Sequence, residues 1–121
     1  MRVQLQGQQL RLRIDEAELA RLQAGETVEN LTRLPGGAVC RQQLVLAAQP
    51  RLAGSAADWR FELPQAELAA HVARLPCRDG LVFPLAVENG IAIEIHFDVD
   101  VRDSVRSRGA VRRGGSRMPA A

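Results

Sequence analysis

The stretch QLRLRIDEAELARL at residues 9–22 is written again 49 residues later as DWRFELPQAELAAH, and a chain of 121 residues that uses one pattern twice is constrained towards two like halves. Paired without gaps from Leu10 and Trp59, five of thirteen positions are identical: Arg11 with Arg60, Ala17 with Ala66, Glu18 with Glu67, Leu19 with Leu68, and Ala20 with Ala69. Chance gives about one or two in a chain rich in Ala, Leu and Arg, taking roughly a tenth for each common residue type.

The apolar pattern is kept along with the identities. Leu10, Leu12 and Ile14 alternate with Arg11 and Arg13, as Trp59, Phe61 and Leu63 alternate with Arg60 and Glu62. That period of two predicts a strand with one buried face in each copy. Each strand leads into a helix. Asp15 with Glu18 three residues on reads as a capping box, and Pro64 supplies the preset φ of a first helical turn. Leu19 with Leu22, and Leu68 with Val72 and Leu75, make the buried stripes, which Gly25 and Pro76 end.

Two further strand-like runs follow each helix, 27–34 and 41–48, then 81–88 and 91–101. Asn89-Gly90 signals a hairpin, because a type I′ turn needs positive φ at both central residues. Pro84 demotes its run to an edge strand. Residues 35–37 and 50–57 read as loops. The fold class is therefore α+β: two β-α-β-β units in a pseudo-twofold internal repeat, over about 9–48 and 58–101, plus an N-terminal strand at Arg2–Gln6. The alternation fits equally a barrel-like closure and a mostly antiparallel sheet with two helices. One such unit cannot bury its own apolar face, whereas two in one chain can share a core within a single globular domain over 1–101.

Charge is divided unevenly. Residues 102–121 carry six arginines against Asp103 alone, a net of +5, and the rest of the chain has a net of −3. The segment RDSVRSRGAVRRGGSRMPAA has no apolar periodicity and is expected to be a basic, disordered tail, a solvated extension without a partner, with nucleic-acid phosphate as the less favoured alternative. All sixteen basic residues are arginine, which removes amine chemistry such as a Schiff base. With no tyrosine, one Trp and three Phe, a stacking platform for single-stranded nucleic acid is disfavoured. No apolar run approaches a membrane span, and the start MRVQLQGQQ has no apolar signal region, so a cytoplasmic protein is expected. Cys40 and Cys77 lack CxxC or zinc spacing and read as reduced thiols.

Three groups of residues are candidates for function. In the last strand Glu94, His96, Asp98 and Asp100 share one face, with neighbours about 7 Å apart, so that Glu94, His96 and Asp98 can converge on a metal ion. The same alternation also describes the wet side of any half-exposed antiparallel strand. Arg11 and Arg13, with Arg60 at the echo of Arg11, are candidates for an anion site shared between the halves, or else pair with carboxylates across strands. His71 stands where the first copy has Leu22 and reads as a partly buried, hydrogen-bonded histidine. Ser55 lacks any nucleophile-elbow context, so no catalytic residue is assigned and no cofactor is expected.

Two resemblances add to this. Residues 59–98, a strand ending in Pro64, a short helix and a hairpin, resemble in outline the half-barrel of AbrB-type transition-state regulators, which implies a swapped-hairpin barrel and DNA binding. The opening, with Arg2, Gly7, Arg11, Leu12 and Arg13, is similar to a small family of bacterial proteins that begin with a basic residue, a short strand, Gly, and an Arg-Leu-Arg strand; that family implies no activity. The residues favour a non-catalytic binding or interaction module, a monomer or weak homodimer, whose partner is a protein or a small anion. An AbrB-like DNA-binding regulator and a metal-dependent enzyme using the last strand are the alternatives.

Overall fold

Alternating apolar residues need a second apolar layer, and the chain supplies it as two four-stranded sheets. The computed structural model describes residues 1–77 and 79–101; the basic segment 102–121 lies outside the described residues. In chain order the elements are β1 (Arg2–Gln6), β2 (Gln9–Asp15), α1 (Glu16–Gln23), β3 (Val28–Arg33), a short 3-10 turn (Pro35–Gly37), β4 (Val39–Ala47), β5 (Arg51–Ser55), β6 (Asp58–Pro64), α2 (Gln65–Ala73), β7 (Leu81–Ala86) and β8 (Ala92–Asp100). Sheet A has the order β1-β2-β8-β7 and sheet B the order β3-β4-β6-β5. Each joins two antiparallel hairpins through one central parallel pair, β2 with β8 and β4 with β6. Among the described residues no ladder closes the two sheets into one barrel. Pro84 sits on β7, an edge strand as its missing N–H requires.

One expectation is corrected. Residues 50–57 are not a loop: Arg51–Ser55 form β5, which pairs with β6 as β1 pairs with β2. The registers are the same 49 residues on, Arg2 opposite Arg13 and Arg51 opposite Glu62. The β3–β4 ladder matches the β7–β8 ladder 53 residues on, Val28 opposite Leu44 and Leu81 opposite Phe97. The unit therefore reads β-β-α-β-β. RLAGS has too little alternation to announce a strand, and pairing with β6 makes it one. Gly54 is required there: at φ 105° its Cα lies so close to the partner strand that a Cβ would fall 2.3 Å from the Asp58 carbonyl oxygen.

Each helix carries the chain from one sheet to the other, so the two hairpins of a half end in different sheets. The inner faces meet in one core. Leu10, Leu12, Ile14, Ile95 and Phe97 from sheet A pack with Val28, Leu44, Phe61 and Leu63 from sheet B, and Leu19, Leu22 and Leu68 close it from the helices. Phe61 and Phe83 join the sheets directly, with ring centroids 5.7 Å apart.

Helix α1 starts as its sequence requires: Asp15 Oδ1 accepts from the Glu18 N–H at 2.8 Å, and Glu18 Oε1 accepts from the Asp15 N–H at 3.1 Å. Asp15→Ala leaves the Glu18 N–H to water and is expected to cost about 1 kcal/mol in urea denaturation. Pro64 differs from expectation in one respect, since it is the last residue of β6 and the residue before α2, at φ −60° and ψ 123°, outside the first helical turn. The Asn89-Gly90 turn forms as predicted, with φ of 51° and 76° and the Ile91 N–H donating to the Glu88 carbonyl at 2.8 Å. Both cysteines are free and half-buried. No helix among the described residues is long and apolar enough to cross a membrane.

Candidate functional site

The outer face of sheet A is a grid set by strand register. Arg2 on β1 stands opposite Arg13 on β2, and Arg13 opposite Asp98 on β8; in the next row Gln4 stands opposite Arg11, and Arg11 opposite His96. Glu94 lies one row further on, opposite Gln9. Side chains two residues apart on a strand share a face, so these groups project together from the sheet.

The charges on this face are unequally satisfied. Arg13 makes a two-pronged bond to Asp98, Nε to Oδ1 at 3.0 Å and Nη2 to Oδ2 at 2.9 Å. That hydrogen bond, with the carboxylate charge behind it, holds the guanidinium above its ordinary pKa, so Arg13 and Asp98 stay a closed ionic pair. His96 Nε2 lies 3.2 Å from Glu94 Oε1. Arg2 and Arg11 are exposed, and among the described residues neither side chain has an ion-pair or hydrogen-bond partner. Two neighbouring cations are thus left without an ion-pair partner among the described residues.

They line a concavity of about 510 Å³ together with Gln4, Arg13, Asp79, His96 and Asp98. That volume is within the range of small-ligand clefts. Gly80 also lines it. The backbone there crosses so close over β8 that a Cβ would fall 2.4 Å from the Phe97 carbonyl oxygen and 2.9 Å from Asp98 Cβ.

Of the residues singled out from sequence, Arg11 and Arg13 are brought together, and Arg60 is not. It lies on β6 in the other sheet, with Nη2 3.3 Å from Glu62 Oε2. Glu94 and His96 bond to each other while Asp98 is held by Arg13, and no group of three or more His, Cys, Asp or Glu among the described residues is arranged to hold a metal ion. His71 is fully buried on α2, where Arg74 Nη2 lies 3.5 Å from its Nδ1; burial, then the nearby Arg74 charge, lowers its pKa.

Arg2 and Gln4 are site residues that the sequence reading did not single out. The signal for Arg2 lay in the echo: carried back along β1, the same pairing sets Arg2 against Arg51. Compared with family models, curated proteins and solved structures, the chain matches none of them, so the two resemblances rest on the residues quoted for them.

Proposed function

We propose that this protein is a non-catalytic binding module that holds a small anion on the outer face of sheet A. The observation that carries the reading is the pair of exposed guanidiniums, Arg2 and Arg11, which face one concavity and, among the described residues, are bonded to neither of the carboxylates that line it, Asp79 and Asp98. Gln4 and His96 flank Arg11 in its row and supply further polar groups. Arg13 has a different role, keeping Asp98 engaged so that this carboxylate does not neutralise its neighbours. A binding role is favoured over catalysis because the acid and base candidates are engaged with partners: Glu94 faces His96, and Asp98 faces Arg13.

We also infer that the two halves are copies of one β-β-α-β-β unit. The five identities of the echo support this, as do ladders that agree residue for residue at offsets of 49 and 53. Each sheet takes one hairpin from each half, which is the arrangement of an intertwined dimer written into one chain and favours a monomer in solution. Two free thiols fit a cytoplasmic setting.

Titration of the isotopically labelled protein with inorganic phosphate, followed through arginine side-chain resonances, tests the reading. Saturable shifts are expected at Arg2 and Arg11. Arg11→Gln removes one charge-assisted hydrogen-bond donor, worth about 1.5–3 kcal/mol, and is expected to weaken binding by roughly ten-fold or more. Unchanged affinity in that variant sinks the proposal. Tight binding of duplex DNA with a steep salt dependence, in place of a phosphate response, promotes the regulator reading.

A further inference from the structure

We propose that the outer face of sheet B carries a second copy of this anion site, already occupied by the chain's own Glu62. The inference rests on the reading of Arg2 and Arg11 as an anion site and on the equivalence of the two halves.

In the shared register, Arg51 answers to Arg2 and Arg60 to Arg11. Both are engaged by one atom: Glu62 Oε2 lies 3.5 Å from Arg51 Nη1 and 3.3 Å from Arg60 Nη2. A single carboxylate oxygen bridges the two guanidiniums. The Glu62 side chain is only 17% exposed, against 67% and 45% for the two arginines, so the carboxylate lies low against the sheet with the cations over it.

Glu62 stands where sheet A has Arg13. The partner of Arg13 across the parallel pair is Asp98, and the partner of Glu62 in the matching position is Val45, which has no charge to offer. The two faces thus solve the same arrangement in opposite ways. On sheet B the carboxylate in the central strand meets only Val45 on β4, and it is taken instead by Arg51 opposite it on β5 and by Arg60 two residues back on its own strand. On sheet A an arginine in the same place is taken by Asp98, and the two arginines remain open. One face is closed by its own sequence, and the other is left for a ligand.

The Glu62 carboxylate therefore stands in for the occupant of sheet A. The ligand class is a single oxyanion group, a carboxylate or a phosphate, that enters between Arg2 and Arg11 and shares an oxygen between them. Guanidinium forks bind both groups with charge-assisted hydrogen bonds.

Glu62→Gln removes the charge while keeping the shape, and the two arginines it releases are exposed enough to be hydrated, so the fold is left standing. The wild type and this variant are titrated separately with acetate and with inorganic phosphate, again reading arginine side-chain resonances. In the wild type only Arg2 and Arg11 are expected to respond. In Glu62→Gln, Arg51 and Arg60 are expected to respond as well, taking the stoichiometry from one to two, and the anion giving the larger response identifies the source of the oxyanion. If Arg2 and Arg11 respond but Arg51 and Arg60 stay silent in the variant, the anion site on sheet A stands and the second site is overturned. If Arg2 and Arg11 respond to neither anion, the proposed function fails, and this inference with it.

Discussion

Phe61→Ala is expected to remove about 3–5 kcal/mol of stability and to lower the melting of both sheets together in one transition. Phe61 is fully buried at the centre of β6, opposite Leu44 in the common core, and its ring meets Phe83 of the opposite sheet. Truncation removes the transfer free energy of the ring and leaves a cavity between layers whose strands are held by their ladders and cannot collapse into it. Set against the roughly 5–15 kcal/mol of a typical domain, that loss is a large share. Cooperativity follows from connectivity, since each sheet is built from one hairpin of each half and neither half can keep a sheet of its own. Thermal unfolding followed by far-ultraviolet circular dichroism and by hydrogen exchange at β2 and β6 separately checks this. Two transitions, with sheet A surviving sheet B, contradict the shared core.

The second large effect is expected in acid. His71 is buried at the position where α1 has Leu22, and its pKa lies below the ordinary 6.5 because burial disfavours the charged ring and Arg74 adds repulsion, only partly offset by Asp98. The unfolded chain thus takes up the proton before the folded one does. Stability is fully present above the unfolded value and falls as pH drops from about 6.5 towards the lower folded value, by at most ~1.4 kcal/mol per pH unit for one proton. His71→Leu, which restores the residue of the matching position, is expected to remove that slope while changing neutral stability by less than about 1.5 kcal/mol. The difference between wild type and variant in urea midpoints from pH 7.5 to 5 isolates the histidine from the carboxylates. Parallel pH profiles contradict the assignment.

Much of the element order was legible from local pattern. The strands at Gln9–Asp15 and Asp58–Pro64 follow from strict alternation, and the start of α1 from a capping box that needs only four consecutive residues. The strand Arg51–Ser55 was not legible, because small residues and Gly54 carry no amphipathic signal and its identity comes from the ladder with β6. Of the site, Arg11 and Arg13 were readable as outward-facing arginines. Which of them is free was not, and neither was the participation of Arg2 and Gln4, which reach the face only through the register of an edge strand.

The sequence by itself determined where both helices and every strand but Arg51–Ser55 form, and which face of each is apolar, because alternation, caps and turn residues act over a few neighbouring positions. Only the tertiary structure decided which charges cancel. Arg13 meets Asp98 across 85 residues of chain, and Glu62 meets Arg51 within the other sheet. Arg11 and Arg60, at matching positions, end in opposite states because two residues further along the strand stands Arg13 in one half and Glu62 in the other, and the neighbouring strand offers Asp98 to Arg13 but only Val45 to Glu62. That neighbour is chosen by the shared core, which draws one hairpin from each half into each sheet.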